Sequence, residues 1–352
     1  MWWMWLLVPM SFSPRRRRLR PLGIRHLNRL MLERAELACD NETHLVLPRD
    51  DRRAQHVREH IWRRQTPPTP TLRVGVVDGG SVDCGARLAA DGGLVLETNA
   101  TIRAALDVAA PRPRIDVLLG LPAPLRLKRL LPTVSSLGVD ALWLVGTTRV
   151  ERAFFGSSLL RDIRCLTKRD ASSGIEPREA PPGTPIRDLL VEGAEQSGFT
   201  AIPKLALVSS LSTALDAIDR RAQGQRVLRC AAHPDRGDSF RAKDDQTGEV
   251  RSLALRDTHS GPQLVQIPRS RPVSDLFPHH AAASEKDQDL RVTLAVGAER
   301  GWEEPDELLL LQQHGFHFLT LGPRTLRTDV ALVALLALLQ DRLDNKTPAA
   351  ES

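Results

Sequence analysis

The feature that most constrains the fold is a series of short, continuously apolar runs separated by segments with helical spacing. The run Ile115–Leu121 is followed by leucines at helical spacing within 127–134, and then by a second run, Ala141–Val145. Strands that are apolar throughout are typical of a sheet buried on both faces, and their alternation with helices indicates parallel pairing through crossovers. Further strands are predicted at Lys204–Val208, Arg226–Cys230, Arg291–Val296 and Phe316–Leu321. The sequence therefore predicts an α/β domain on a largely parallel sheet, although Pro132 interrupts the first helical segment.

A different pattern precedes this domain. Between residues 22 and 108, short apolar stretches are separated by turn sequences such as Asp78-Gly79-Gly80 and Asp91-Gly92-Gly93. Strands joined by Asp-Gly and Gly-Gly pairs predict a small antiparallel barrel, with a short helix at His56–Trp62 before it. The proline-rich stretch Ala110–Arg114 predicts a linker. We therefore divide the chain into a first domain at 22–108 and a second at 112–345.

Three segments fit neither pattern. Residues 1–21 carry an apolar run too short to span a bilayer, five arginines and no acid. They predict a transit peptide for the mitochondrion or chloroplast. The alternative is a wrongly assigned start codon or a disordered tail, with the protein in the cytoplasm. Residues 236–287 predict a flexible insertion in which Gln263–Ile267 is the only strand-like piece, and 346–352 predict a tail. His279-His280 lies in that insertion without further ligands at metal spacing, so no metal site is predicted.

The charge and the cysteine content say less about the function than the strand and turn patterns say about the fold. The net charge is +6, but the five arginines of residues 1–21 supply most of it and leave +1 for the rest of the chain. Between Arg103 and Arg169, twelve Lys and Arg face five Asp and Glu. This local excess suits a nucleic-acid backbone or an ordinary solvated basic face, and both interpretations remain open. Four scattered cysteines without a CxxC pair exclude a disulfide framework and a structural zinc site.

Two glycine-containing turns follow predicted strands near the C-terminus. One is Leu294–Trp302, which leads into a helix opened by acidic residues, and the other is Leu319–Thr328. Placed at adjacent strand ends of a parallel sheet, they would form one pocket of backbone amides and carbonyls. Neither contains the glycine pattern of a Rossmann dinucleotide site or of a P-loop. A purely structural role for the two turns also remains open.

These turns resemble a known family. Gly297–Trp302 resembles the GPEGGW loop of the ribosomal RNA small subunit methyltransferase E family, and Leu321–Asp329 is similar to its LGPRxLRTE/D signature. The similarity extends through most of residues 22–345. Its other matching segments are Arg25–Arg29, His56–Ile61, Leu121–Val139, Arg149–Ser157, Glu195–Gly198 and His233-Pro234.

The resemblance implies an N-terminal PUA-like β-barrel that binds RNA and a C-terminal SPOUT domain with a trefoil knot. It also implies a homodimer that uses S-adenosyl-L-methionine to methylate N3 of a uridine in 16S-type ribosomal RNA. The expected partners are that RNA or the small ribosomal subunit, with no membrane and no metal. The scarcity of aromatic residues, including no tyrosine, argues against recognition by an aromatic stacking platform.

The family pattern also assigns site residues. Those expected to hold the cofactor are Leu294, Val296, Gly297, Ala298, Glu299, Gly301, Leu321, Gly322 and Leu326. Arg327, with Arg324 next, is the candidate catalytic cation, because a positive charge near a uracil oxygen favours loss of the N3 proton. Arg327 has the alternative role of capping loop carbonyls, and Glu299 that of ordering its loop. The RNA-binding candidates are Arg25, Arg29, Lys128, Arg129, Arg149 and Arg152; for the first two, surface pairs with Glu33 and Glu36 are the alternative.

Departures from the family pattern keep other functions open. Ala298 and Arg300 replace the proline and first glycine of GPEGG, Val330 replaces a threonine, and Phe199 stands where arginine is common. We expect Arg300 to add bulk beside the cofactor and to lose the positive φ that glycine allows. The alternatives are therefore a catalytically impaired RNA-binding or ribosome-assembly factor, and a SPOUT enzyme that modifies another RNA.

Overall fold

The structure is a computed structural model that describes residues 29–37, 43–62, 70–234, 241–243, 250–258, 261–276 and 289–344. The predictions for residues 1–21 and 346–352, for Arg25 and for His279-His280 lie outside the described residues. No helix among the described residues is long and apolar enough to cross a membrane.

Within the described residues, the N-terminal unit is a five-stranded sheet packed against three short α-helices and a π-helical segment at Val57–Ile61. Its elements are β1 Leu30–Leu32, α1 Arg34–Leu37, β2 His44–Leu47, α2 Arg52–His56, β3 Thr71–Val76, β4 Ser81–Leu88, β5 Leu94–Glu97 and α3 Ala100–Asp107. The strand order is β1-β3-β4-β5-β2, and every pair is antiparallel except β1 with β3. The antiparallel strands predicted from the Gly-rich turns are therefore confirmed, with one parallel edge strand that the turns did not indicate.

The C-terminal unit is a three-layer α/β structure. Its elements begin with β6 Ile115–Gly120, α4 Pro124–Ser136, β7 Val139–Val145, β8 Cys165–Leu166, α5 Pro185–Ser197, β9 Lys204–Val208, α6 Leu211–Arg221 and β10 Val227–Ala232. They continue with β11 Arg241–Lys243, β12 Val250–Thr258, β13 Gly261–Ile267, β14 Arg271–Pro272, α7 Val273–Leu276, β15 Arg291–Val296, α8 Asp306–Gln313, β16 His317–Thr320 and α9 Thr328–Asp344. The main sheet has the order β14-β16-β10-β15-β6-β7-β9-β8, and each neighbouring pair is parallel. The predicted parallel sheet is confirmed.

Helix α4 continues through Pro132. A proline inside a helix costs about 3 kcal/mol. Burial of the α4 residues Leu127, Leu130, Leu131 and Val134 offsets that cost, since each such side chain contributes roughly 1.5–3 kcal/mol. Packing on the sheet and on α5 therefore outweighs the local preference.

The stretch predicted as a flexible insertion contains more regular structure than one strand. Strands β11, β12 and β13 form a separate antiparallel sheet, and β14 joins the edge of the main sheet. The prediction that Gln263–Ile267 is the only strand there is wrong, because frequent charged residues in β12 obscure its alternating pattern.

The predicted linker carries a structural ion pair. Arg112 donates from Nη1 to Asp78 of the N-terminal unit at 2.7 Å, and from Nε to the buried Asp140 of β7 at 2.6 Å. Asp140 and the neighbouring Asp116 also bind Arg291 at 2.6 and 2.9 Å. Burial raises the pKa of Asp116, while its arginine partners act in the opposite direction. The network joins both units at the amino-terminal end of the parallel strands.

Candidate functional site

Strands β10, β15 and β16 end around one cavity at the carboxyl edge of the parallel sheet. The two turns were predicted to follow adjacent strands, and this is wrong, because β10 lies between β15 and β16. The cavity therefore has three walls instead of two. Its third wall is Ala232-His233-Pro234, the end of β10.

The first wall is a tight turn held close to β6. The amide of Gly301 donates to the carbonyl oxygen of Ala298 at 2.8 Å, and Gly301 has a φ of 71°, which favours glycine. Behind the turn, a Cβ atom on Gly120 would lie 2.5 Å from the nitrogen of Ala298. Only a residue without a side chain at 120 lets the turn approach the sheet this closely.

Glu299 orders this turn. One of its carboxylate oxygens, Oε1, accepts a hydrogen bond from the amide of Ala123 at 2.9 Å and lies 3.5 Å from Nη1 of Arg126. Ala123 precedes the first residue of α4, so the carboxylate also complements the positive end of that helix. Of the two roles left open for Glu299, these contacts give direct support to loop ordering.

Arg300 does not distort the turn. Its φ is not positive, since Asp78 is the one non-glycine residue with positive φ among the described residues. The expectation of backbone strain at Arg300 is therefore wrong. Its side chain is 72% exposed and lies 3.9 Å from Glu151, and its carbonyl oxygen accepts a hydrogen bond from Arg149 at 2.7 Å. The residue lines the cavity without filling it.

The second wall, from Leu319 to Leu326, is stabilised by short-range contacts. The hydroxyl of Thr320 bonds both the amide and the carbonyl oxygen of Gly322. At the start of α9, the hydroxyl of Thr328 donates to the carbonyl oxygen of Ala298 at 3.0 Å. This bond joins the second wall to the first.

The third wall includes His233, which the pattern of strand β10 alone does not identify as a functional residue. His233 is buried, its amide donates to the carbonyl oxygen of Leu319, and its Nε2 lies 3.9 Å from a carboxylate oxygen of Glu304. The indole nitrogen of Trp302 donates to the carbonyl oxygen of Ala232 at 3.0 Å. Only the short His233-Pro234 match to the family pointed to this part of the chain.

Most of the predicted cofactor residues meet at the cavity. Those that line it are Val296, Gly297, Ala298, Glu299, Gly301, Leu321 and Leu326. Leu294 does not, because its side chain is fully buried in the core of the sheet, and Gly322 lies outside the lining. Of the two catalytic candidates, Arg324 lines the cavity, whereas Arg327 lies outside it and pairs with Asp329 at 2.6 Å.

The predicted RNA-binding residues are spread over the surface. Lys128 and Arg129 are exposed on α4, and Arg152 is exposed beside a second cavity. Arg149 is half-buried and donates to Glu303 at 2.6 Å.

Arg29 lies apart, in the cleft between the two units. The alternative of surface pairs with Glu33 and Glu36 is wrong for it, because those carboxylates bind Arg187 and Arg53 instead. Its Nε is buried without a hydrogen-bond partner among the described residues. Burial, and then the nearby Arg73, lower its pKa.

Within the described residues, no group of three or more His, Cys, Asp and Glu side chains is arranged to hold a metal ion. The cavity is lined by apolar side chains, with polar groups at its edges.

Comparison with known proteins identifies similar chains. A sequence model of the RNA methyltransferase domain matches residues 269–340, which include both predicted turns. The ribosomal RNA small subunit methyltransferase E of Treponema pallidum is 28% identical over 223 residues, which are 63% of this chain and 60% of that protein. The match therefore spans less than two thirds of the relative's length.

Two solved structures share the fold. The ribosomal RNA small subunit methyltransferase E from Neisseria gonorrhoeae, bound to S-adenosyl methionine, is 18% identical, with a TM-score of 0.53. The alignment covers 90% of this chain and 98% of that one. A methyltransferase from Legionella pneumophila, in complex with the same cofactor, is 17% identical with a TM-score of 0.51, covering 89% and 96% of the two chains.

Proposed function

We propose, because the chain belongs to the ribosomal RNA small subunit methyltransferase E family, that it methylates N3 of a uridine in small-subunit ribosomal RNA. The methyl donor in this proposal is S-adenosyl-L-methionine. The observation that carries it is the cavity at the ends of β10, β15 and β16, whose three walls are joined by hydrogen bonds.

The residues of the cavity fit this cofactor. Leu319, Leu321 and Leu335 supply apolar surface for a flat base, while the turn at 297–301 supplies backbone groups along one edge. Glu304 and His233 supply polar side chains at another edge. A nucleoside joined to an amino acid requires such a combination of apolar faces and polar edges. In our proposal the turn at Gly297–Gly301 and the segment 321–326 hold the cofactor.

When bound, S-adenosyl-L-methionine supplies an electrophilic methyl group whose S–C bond breaks as the N–C bond to uracil forms. The N3–H proton passes to water, and the electron pair that stays on N3 forms the new bond. Arg324 lines the cavity, and we assign it the role of stabilising negative charge on a uracil oxygen as that proton is lost. Arg327, held by Asp329, is proposed to position the second wall.

Orientation is the main contribution of the remaining residues. An in-line displacement requires the two reactants to be held within van der Waals contact along one line. The contact of Glu299 with Ala123 fixes the first wall to the start of α4, and the contact of Thr328 with Ala298 fixes the two walls relative to each other before substrate arrives. The exposed side chain of Arg300 leaves the cavity open, which favours an active enzyme over the impaired-factor alternative.

A homodimer is part of the proposal. Val330 and Leu338, on one side of α9, are 48% and 40% exposed, and Leu326 beside the cavity is 37% exposed. An apolar helix face that extends to the cofactor cavity is suited to packing against a second copy of the chain. In this proposal the second copy also covers the side of the cavity where uracil enters.

Three finer points complete the proposal. We propose that the N-terminal sheet is a PUA-like RNA-binding barrel, and that the chain around the cavity forms a trefoil knot. Support for the knot is the position of β15 and β16 on opposite sides of β10, together with the bond from Thr328 back to Ala298. The proposed location is a mitochondrion or chloroplast if residues 1–21 are a transit peptide, and otherwise the cytoplasm.

The test combines binding and product mapping on the full chain. Calorimetry should detect S-adenosyl-L-methionine binding by both the parent chain and Arg300→Gly, with similar affinities. Incubation with unmethylated small ribosomal subunits should then give N3-methyluridine, mapped by mass spectrometry of RNA digests. Binding without methyl transfer would support the RNA-binding factor, and methylation at another position would support a different RNA modification.

A further inference from the structure

A second cavity lies at the same edge of the parallel sheet. It adjoins the ends of β7 and β9. Because β7 and β9 are parallel neighbours in the sheet that also contains β10, β15 and β16, their carboxyl ends face the same side as the proposed cofactor cavity. The second cavity plays no part in cofactor binding as described above.

Helix α6 begins at this cavity. Ser210 caps the helix by accepting a hydrogen bond from the amide of Thr213, and the exposed Ser212 follows in the first turn. The first amides of a helix have no acceptor within it, and the partial positive charge at that end attracts anions. Helix α6 is eleven residues long, so its dipole is well developed.

An independent feature on the opposite wall points to a ligand. Thr147, just after β7, is 9% exposed, and its hydroxyl is buried without a hydrogen-bond partner among the described residues, although the residue lines the cavity. A buried hydroxyl without a partner costs roughly 1–3 kcal/mol. That cost is recovered when an acceptor such as a phosphate oxygen enters.

The two walls are held close together. The amide of Gly146 donates to the carbonyl oxygen of Val208 at 2.9 Å, and a Cβ on Gly146 would lie 2.3 Å from the carbonyl oxygen of Ser209. Thr147 and the start of α6 therefore border the same space. Arg152 also lines it and adds a positive charge.

The acidic residues nearby are already engaged. Glu307 accepts hydrogen bonds from the amides of Thr148 and Glu303, both at 2.7 Å, and Asp306 pairs with Arg256 at 2.9 Å. Asp306 is thus paired with a cation, and both carboxylate oxygens of Glu307 are held by amides before any anion binds.

We infer that this cavity binds a backbone phosphate of the substrate RNA, next to the nucleotide that enters the cofactor cavity. The inference rests on the proposed function for its choice of RNA as the ligand. Arg149 connects the two places, since it follows Thr148 in the chain and donates to the carbonyl oxygen of Arg300 in the cofactor turn at 2.7 Å. One phosphate held by Thr147, Ser212 and Arg152 fixes the RNA relative to that turn.

The test uses Thr147→Val, which removes the hydroxyl and keeps the shape of the side chain. Its affinity for unmodified small-subunit ribosomal RNA, transcribed in vitro, should fall about tenfold or more, since hydrogen bonds to charged groups are the strong ones. Its urea midpoint should stay equal or rise, because a buried hydroxyl without a partner is removed. Arg152→Gln should reduce the slope of log affinity against log salt by about 0.7–0.9, the value for one phosphate.

Ser270→Ala is the matched control, because Ser270 also has a buried hydroxyl without a partner among the described residues but lines a different cavity. It should leave RNA affinity unchanged. Inorganic phosphate should compete with the RNA for the parent chain and not for Thr147→Val. An RNA affinity of Thr147→Val equal to that of the parent would overturn the inference. This holds even if the variant no longer binds free phosphate, since the site would then bind a small anion and not RNA.

Calorimetry with S-adenosyl-L-methionine separates this inference from the proposed function. Thr147→Val should bind the cofactor as the parent does. A parent chain that binds RNA through Thr147 but binds no cofactor would refute methyl transfer and leave the phosphate site supported.

Discussion

Replacing Gly120 with alanine tests whether the close approach of β6 creates the cofactor turn. The added methyl carbon would lie 2.5 Å from the nitrogen of Ala298 and 3.1 Å from the carbonyl carbon of Gly297. Because non-bonded atoms reach their optimal separation at roughly 3.5–4.0 Å, the turn must move by about 1 Å. That displacement would disturb the bond from Thr328 to Ala298, which is now 3.0 Å.

The expected magnitude follows from these displacements. Overpacking a well-packed site costs typically 1–3 kcal/mol, and each lost hydrogen bond roughly 0.5–1.5 kcal/mol. Since about 1.4 kcal/mol is a factor of ten, Gly120→Ala should weaken S-adenosyl-L-methionine binding about 10- to 100-fold. Calorimetry gives the affinity, and urea unfolding gives the stability of the same samples.

Gly156→Ala is the matched control, because a Cβ at Gly156 meets nothing within 4 Å. It should bind the cofactor as the parent chain does. A folded Gly120→Ala variant with cofactor affinity within twofold of the parent would refute the reasoning, since the turn would then tolerate a displacement that the packing forbids.

Three further predictions test other parts of the molecule. Gly193→Ala should lower the free energy of unfolding by about 1–3 kcal/mol in urea, because its Cβ would lie 2.1 Å from the carbonyl oxygen of Pro132 in the neighbouring helix. Arg324→Gln should lower kcat and shift its pH profile upward while cofactor affinity stays unchanged; an unaltered kcat would remove the proposed charge stabilisation. Burial raises the pKa of Asp51, but its hydrogen bonds from Arg53 outweigh this and leave it below its ordinary value near 3.8. Asp51→Asn, which keeps the helix cap, should therefore be less stable than the parent above about pH 5, with the difference disappearing as the pH falls through the carboxyl's lowered pKa; a pH-independent difference would contradict this.

The sequence predicts the parallel strands because each is short, apolar throughout and flanked by a helix. Ile115–Leu121 and Lys204–Val208 illustrate this, since both become strands with at most one residue of difference. The order of strands in a parallel sheet is set by crossovers that no local pattern records. The position of β10 between β15 and β16, and with it the place of His233 in the cavity, could therefore not be predicted from spacing.

Side-chain partners were harder to predict than strands. The sequence places Glu299 in the turn. Its partner, the amide of Ala123, lies far away in sequence, and only the packing of the fold brings the two together. The same holds for Thr147, whose hydroxyl is unusual only because it has no hydrogen-bond partner in the part of the chain that the structure describes. A threonine after an apolar strand is otherwise unremarkable.

The ion pairs across the two units have a consequence for target selection. Arg112 grips Asp78 and Asp140, and Arg187 binds Glu33 through two parallel hydrogen bonds of 2.8 and 2.7 Å. Such paired contacts prevent one unit from rotating on the other. If the N-terminal unit binds RNA, the distance between that RNA contact and the cofactor cavity is fixed. The target nucleotide is then selected by its distance from the bound RNA segment as well as by its base.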